Sequence, residues 1–225
     1  MIYILPTKKG LGVELWGNYD DVVFLYETIS KFWNSEDRLT KVGFENRDKL
    51  LSGFSYLIRK CYEGTKLKKS SSHFSLEKIE YFGVEISWVH FLFSLSALRY
   101  NMRYIENNKM DLSIMLQLEY WLENAMNKYD KIGASKLSYF ISDGIYSGNI
   151  YLYQFMRSIN ADYFILNGEK KGFRKLPELL MRSVIFSDEY KSYTMNLESE
   201  AKRLNCETES LDIDDEEIDY ENIKW

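Results

Sequence analysis

Residues 86–98 read ISWVHFLFSLSAL, thirteen consecutive positions without an aspartate, glutamate, lysine or arginine. A helix that crosses a bilayer needs about 20 apolar residues, whereas a run of about 10–14 is typical of a helix enclosed in a protein core. The apolar positions fall on nearly every side of a helix that begins near Ser87, so other elements are predicted to surround it. The stretch therefore predicts a globular fold built around one central helix.

On the N-terminal side of this stretch, short alternating patterns predict β-strands. Residues 2–5 and 11–16 flank the turn-prone Lys8-Lys9-Gly10, which indicates a β-hairpin. Residues 77–85 predict a further strand, and the polar residues 65–73 predict a basic loop between elements.

On the C-terminal side, helical periodicity dominates. Residues 111–129 carry an apolar stripe at helical spacing, and Pro177 is predicted to be the first residue of a helix over 177–186, because that position needs no amide hydrogen. The expected fold class is α+β and predominantly helical, with a small N-terminal antiparallel sheet packed on a bundle of six or seven helices.

The composition excludes several classes of protein. The chain has 225 residues, 45% apolar and 28% charged, which is ordinary for a globular domain and excludes a disordered chain. The two cysteines, Cys61 and Cys206, are too few for a disulfide scaffold and indicate reduced thiols, with Cys61 facing the core. The first residues show neither a signal peptide nor a membrane anchor, so we expect a cytoplasmic protein without membrane association.

The charge of the chain is divided unevenly. The formal net charge is −5, and residues 207–221 hold nine acidic residues and no basic one. Without these nine acids, 25 acidic residues remain against 29 basic ones, a net charge of +4. The sequence therefore predicts a single globular domain over 1–205 and an acidic C-terminal tail over 206–225.

The acidic tail permits three interpretations. It is a disordered solubilising end, a short motif that folds on a basic partner, or a cover for basic loops of its own body. The acids alternate with apolar and aromatic residues, which favours the second and third interpretations over a pure charge run. The predicted partner-binding residues are Asp212, Asp214, Asp215, Glu216, Glu217, Asp219, Tyr220 and Trp225.

Histidine and cysteine patterns give no catalytic or metal site. The spacings of His73, His90 and the two cysteines match no zinc site, and no glycine-rich phosphate loop occurs, so no cofactor is expected. His90 lies near Glu85 in sequence, and such a pair can do acid–base chemistry. A neutral, hydrogen-bonded histidine of the core is the favoured interpretation of His90, and His73 is expected in a polar loop.

Acidic and basic residues suggest two alternative functions. The acid-x-Lys pattern of metal-dependent nucleases occurs three times, as often as chance placement predicts, and the best candidate set is Asp162, Glu169 and Lys171. Two groups of basic residues, each expected in a loop, could instead bind nucleic acid without catalysis. The groups are Lys66, Lys68 and Lys69, and Lys170, Lys171, Arg174 and Lys175.

Three stretches resemble an uncharacterised bacterial family catalogued as a domain of unknown function. They are GVELWGNYDDVVFLYETI at 12–29, LLSGFSYLIRKCYEG at 50–64 and GVEISWVHFLFSLSALRYNM at 83–102, and they cover about the first 105 residues. The resemblance rests on aromatic and aliphatic patterning with Tyr19-Asp20-Asp21, Arg59 and Tyr62-Glu63-Gly64. It implies no reaction and no catalytic residue, and it leaves out the helical second half and the acidic tail.

The leading hypothesis from the sequence is a non-enzymatic intracellular interaction domain that binds a basic partner protein. An antitoxin, an immunity protein or a subunit of a bacterial defence assembly would fit this description. The alternatives are a metal-dependent nuclease and a nucleic-acid-binding module, and the sequence leaves the oligomeric state open.

Overall fold

The computed structural model describes residues 1–71, 78–211, 218, 220 and 222–225. Within these residues, one sheet contains four antiparallel strands in the order β1-β2-β4-β3. The strands are β1 (Tyr3–Pro6), β2 (Gly12–Gly17), β3 (Leu67–Ser71) and β4 (Ile79–Ser87). The predicted N-terminal hairpin and antiparallel sheet are confirmed.

The same described residues form eight α-helices, so the predominantly helical α+β class is confirmed and the predicted count of six or seven is too low. The first four helices are α1 (Tyr19–Asn34), α2 (Phe44–Tyr62), α3 (Trp88–Asn101) and α4 (Lys109–Tyr129). The others are α5 (Lys131–Ser142), α6 (Leu152–Ile165), α7 (Glu169–Leu180) and α8 (Asp188–Leu204).

Two local predictions are wrong. Lys68 and Lys69 lie on strand β3, where a loop was predicted, because β3 pairs with β4 over its whole length. Pro177 lies inside α7, which begins eight residues earlier, at Glu169. Phe173, Leu176 and Leu180 are buried on one face of α7, and this helical packing outweighs the start signal of the proline.

The central helix is α3, as the opening stretch predicts. Trp88, Phe91, Leu92 and Phe93 are each 0% exposed, although they point to different sides of the helix. Helices α1, α2, α4, α5 and α6 and strands β2 and β4 all contact α3. Ser87 caps its N-terminus, since the Ser87 side chain accepts a hydrogen bond from the amide of His90.

The turn between β1 and β2 is hydrogen-bonded to the helical layer. The carbonyl of Gly10 accepts hydrogen bonds from the Trp88 indole at 2.9 Å and from the Tyr163 hydroxyl at 2.6 Å. Gly10 has φ +71°, and a Cβ at this position would lie 2.0 Å from the ring of Tyr129. Glycine therefore suits this turn, because it adopts the positive φ freely and leaves the space that the Tyr129 ring occupies.

The adjacent carbonyl, that of Lys9, accepts hydrogen bonds from the Tyr129 hydroxyl at 3.1 Å and from the backbone amide of Glu169 at 2.7 Å. The second contact holds the link between α6 and α7, where Asn167, Gly168 and Glu169 all have positive φ. Asparagine and glutamate rarely adopt this conformation, so the surrounding contacts must stabilise it. The β1–β2 turn thus connects to α3, α4, α6 and α7.

His90 faces α2 and is neutral near pH 7. Its half-buried ring packs edge-on against Phe54, with 6.3 Å between ring centres, and it hydrogen-bonds to the backbone of Leu50. Burial lowers the pKa of His90 to about 4. The expected neutral, hydrogen-bonded histidine is confirmed.

Glu85, the residue near His90 in sequence, lies opposite Glu14 in the pairing of β2 with β4. Burial raises the pKa of Glu85, and the negative charge of Glu14 contributes a smaller part of the increase.

We predict that Tyr163→Phe lowers the free energy of unfolding by about 1–2 kcal/mol, because the buried carbonyl of Gly10 loses one of its donors. Tyr163 is 0% exposed, so solvent cannot replace the hydroxyl. Urea unfolding measures the change. Tyr139→Phe is the matched control, since Tyr139 is 51% exposed and its loss of a hydroxyl should cost under about 0.5 kcal/mol. Equal effects of the two changes would contradict the role given to the turn.

We also predict that acidification between pH 6.5 and pH 4 destabilises the protein partly through His90. The unfolded chain takes up the proton near pH 6.5 and the folded chain only near pH 4, so this contribution to stability is present above pH 6.5 and lost below it. For a half-buried ring the loss should be about 2 kcal/mol. Urea unfolding of wild type and of His90→Gln at several pH values measures this contribution. The free energy of unfolding should depend less steeply on pH in the variant than in wild type. The same slope in both proteins would refute it.

Candidate interaction site at the C-terminal segment

The C-terminal segment, residues 206–225, leaves α8 after Asn205, which ends the helix in a left-handed conformation at φ +51°. A short 3-10 turn follows at Thr208–Ser210. There the side-chain amide of Gln154, on α6, donates a hydrogen bond of 3.2 Å to the carbonyl of Thr208. The start of the segment is therefore attached to α6.

The far end of the segment contacts α6 a second time. The rings of Tyr220 and Trp225 pack edge-on against Phe164, with centre-to-centre distances of 6.0 and 5.9 Å. Ile223 and Trp225 also pack against the hydrophobic core. Ile218 and Ile223 line a cavity of about 280 Å³ together with Leu11 and other residues of the body.

The two attachment points bracket the acidic stretch. Gln154 and Phe164 lie on the same helix, and the rise of an α-helix places them about 15 Å apart. Tyr220 and Trp225, two of the predicted partner-binding residues, belong to the second attachment point. The predicted acidic contacts, namely Asp212, Asp214, Asp215, Glu216, Glu217 and Asp219, lie outside the described residues, as does His73.

The second predicted basic group lies on helix α7, where a loop was expected. Lys170, Lys171 and Lys175 are exposed on its first turns. Lys171 and Lys175 line a cavity of about 290 Å³ that includes Asn167, and Asn167 also lines the cavity beneath the C-terminal segment. The cavity lined by Lys171 and Lys175 therefore adjoins the cavity at the far end of the segment.

Arg174, the remaining member of that group, has a structural partner. Its guanidinium donates two hydrogen bonds to the carboxylate of Asp130, at 2.8 and 2.7 Å. The bond from Arg174 holds the pKa of Asp130 at about 2. Asp130 also caps α5 by accepting from the amide of Gly133. Arg174 thus joins α7 to the start of α5.

The first predicted basic group packs on aromatic rings of the sheet. The ammonium of Lys69 lies 4.3 Å from the ring centre of Trp16 and 4.8 Å from that of Tyr3. The ammonium of Lys68 lies 5.4 Å from the ring of Phe82. Lys66, just before β3, carries its charge near Glu85 and partly offsets the rise in the pKa of that carboxyl. All three lysines therefore interact with aromatic rings or a carboxyl group of the protein itself.

The candidate nuclease residues are divided between two places. Glu169 and Lys171 line one cavity at the start of α7, whereas Asp162 forms an ion pair with Arg182. Asp162 lies on α6, so neither carboxylate stands on a strand, as the acid-x-Lys pattern requires. In the part of the chain that the structure describes, no three His, Cys, Asp or Glu side chains are grouped closely enough to hold a metal ion.

The two cysteines differ in environment. Cys61 is 0% exposed on α2, and burial raises the pKa of its thiol to about 12. The burial of Cys61 that the sequence predicts is confirmed. Cys206 is exposed and lies two residues before the attachment of Thr208 to Gln154.

The acidic stretch is visible in the sequence, whereas its attachment points are not. Gln154 and Phe164 are a polar and an apolar residue of an ordinary amphipathic helix, and no local pattern marks them as contacts of a segment more than 50 positions away. The aromatic residues at the end of the chain were the only available signal. None of the helices in the described ranges combines the length and apolar character needed to cross a bilayer.

Comparison with known proteins gives one match. Residues 2–225 match the family described as a domain of unknown function, DUF6904. The match includes the helical second half and the acidic segment, so the extent of about 105 residues implied by the resemblance is wrong. No curated protein and no solved structure matches the chain. Because the family match spans almost the whole sequence, this chain belongs to the DUF6904 family.

Proposed function

We propose that this protein is a non-enzymatic interaction domain that binds a basic partner protein through its acidic C-terminal segment. The observation that carries the proposal is the bracketing of the acidic stretch between two contacts with α6, one at Gln154 and one at Phe164. Contacts on both sides of the acidic stretch support a role for it as a binding element of this protein.

The two attachments reduce the cost of binding. A segment that orders only when it meets its partner loses conformational entropy at that moment, which weakens the complex. Here the residues on both sides of the acidic stretch already contact the body. The segment therefore needs to order fewer residues than a free tail of the same composition.

The charge of the segment supports a basic partner. Nine acids within fifteen residues attract positive charge, accelerate the encounter and disfavour acidic partners. The attraction falls as ionic strength rises, because the Debye length shortens from about 10 Å at 0.1 M salt to about 3 Å at 1 M. An antitoxin, an immunity protein or a subunit of a bacterial defence assembly, in the cytoplasm, would meet partners of this kind.

The test is capture of a basic partner by charge-neutralised variants. In Asp214→Asn, Asp215→Asn, Glu216→Gln, three acids of the segment become neutral, and we expect the captured amount of a basic protein to fall at least about tenfold. Quantitative mass spectrometry of material that co-purifies from the native host at low salt measures the amount.

The matched control neutralises three exposed acids elsewhere, in Glu106→Gln, Glu123→Gln, Glu178→Gln. This variant loses the same charge and should capture the partner as wild type does. Equal loss in both variants would show a response to net charge alone, and undiminished capture by the segment variant would remove the segment from the mechanism.

A further inference from the structure

Helix α4 has a second apolar face, opposite the one that packs on the core. Leu118 and Leu122 are each 0% exposed and belong to the buried face. Leu112, Leu116 and Tyr120 follow one another every four residues on the outer side of the helix, and they are 47%, 64% and 59% exposed. These three residues are named the exposed stripe. A helix at the surface of a globular domain normally has one apolar face, so the fold of the single chain does not account for the exposed stripe.

The side chains next to the exposed stripe carry no charge. Ser113, Gln117 and Asn124 lie on the same outer side of α4. The amide of Asn124 donates a hydrogen bond of 2.9 Å to the carbonyl of Tyr120, one turn earlier on the same helix. An apolar strip with neutral polar borders is suited to packing against another helix, because its approach leaves no charge stranded at the centre of the contact.

Two charges of opposite sign mark the ends of the exposed stripe. Lys109 lies seven residues before Leu116 and Glu123 lies seven residues after it, and seven residues make nearly two turns of an α-helix. Both charged side chains are exposed, and neither forms an ion pair with any residue that the structure describes. The helical rise separates them by about 21 Å, so they do not neutralise each other within one chain.

The exposed stripe and its two end charges are complementary to a second copy of themselves. If two α4 helices lie antiparallel with a two-fold axis beside Leu116, each residue faces the one that lies equally far on the other side of Leu116. Leu116 then meets Leu116, Leu112 meets Tyr120, and Lys109 meets Glu123. In a parallel pair, each of the two charges would instead face its own copy and be repelled.

The exposed stripe also has the size of the centre of an interface. A fully exposed aliphatic or aromatic residue offers about 150–250 Å², so the three residues expose about 350 Å² on each copy. A stable interface of standard size buries about 800 Å² on each partner, with an apolar centre and a polar rim. The exposed stripe supplies the apolar centre, and the polar and charged residues beside it supply the rim. The area fits a reversible dimer.

We propose that two copies of this chain form a symmetric dimer in which their α4 helices pack antiparallel through the exposed stripe. The apolar side chains at the centre stabilise the contact by leaving water. The ion pair between Lys109 of one copy and Glu123 of the other is present twice because of the two-fold axis, and it selects the antiparallel orientation. The exposed stripe shares no residue with the acidic segment, so this proposal holds or fails independently of the proposed function.

Sedimentation velocity of the full chain tests the proposal, at protein concentrations from about 1 to 200 µM in 0.1 M salt. We expect the average mass to rise from the monomer value of 26.8 kDa towards twice that value as the concentration increases. The dissociation constant should be on the order of 10 µM, because the apolar centre of the contact is small.

Leu116→Glu locates the contact. At the two-fold axis the two new carboxylates face each other across an apolar centre, so the dissociation constant should rise at least about tenfold. Leu116 is 64% exposed, so the change should leave the fold intact, and far-ultraviolet circular dichroism checks this. The matched control is Met195→Glu on α8, which adds the same charge at a residue that is 69% exposed and should dimerise as wild type does.

A charge swap tests the orientation of the two helices. Lys109→Glu alone, or Glu123→Lys alone, places like charges opposite each other at two positions in the dimer, so each should raise the dissociation constant at least about threefold. The double variant Lys109→Glu, Glu123→Lys restores both ion pairs with reversed polarity and should dimerise as wild type does. Because the two residues are about 21 Å apart within one chain, this rescue requires a contact between copies.

Three results would overturn the proposal. A mass of one chain over the whole concentration range would exclude the second copy and leave a different molecule as the occupant of the exposed stripe. Equal dissociation constants in Leu116→Glu and Met195→Glu would place the dimer contact on another face. Single charge variants that dimerise as wild type does, or a double variant that dimerises no better than the single ones, would exclude the antiparallel pairing.

Discussion

The arrangement of the helices depends on two successive carbonyl groups in the turn between β1 and β2. The carbonyls of Lys9 and Gly10 accept hydrogen bonds from groups on α3, α4, α6 and α7. A buried carbonyl left without a donor costs about 1–3 kcal/mol, so this turn favours one placement of the four helices over its alternatives. Because Tyr163 belongs to α6, the turn also fixes the helix that carries both attachment points of the acidic segment.

The sequence predicts those elements whose signals are local. The thirteen uncharged residues at 86–98 predict the central helix because burial on all sides requires apolar residues on all sides. The sequence does not predict strand β3, since Lys68 and Lys69 interrupt the alternation of apolar and polar residues. Pairing with β4 makes this segment a strand. The prediction of a helix start at Pro177 is wrong for a similar reason. The preference of proline for the first position of a helix is a local effect, whereas tertiary packing determines where α7 begins.

The candidate interaction site also has one part that the sequence predicts and another that it does not. The concentration of acids at 207–221 is visible in the sequence, because composition needs no coordinates. The contacts of Gln154 and Phe164 with the end of the chain depend on how distant parts of the sequence meet in the fold. No local pattern marks either residue as the partner of a segment more than 50 positions away.

The two cysteines differ in exposure, so a thiol reagent can label the acidic segment selectively. A thiol that loses its proton only near pH 12 and is closed to solvent does not react with maleimides at neutral pH, so Cys61 is inert. Cys206 is open to solvent beside the first attachment of the segment. One dye molecule per native chain can therefore be placed beside the acidic segment without mutagenesis, and a change in its emission would report whether the first attachment of the segment holds or opens.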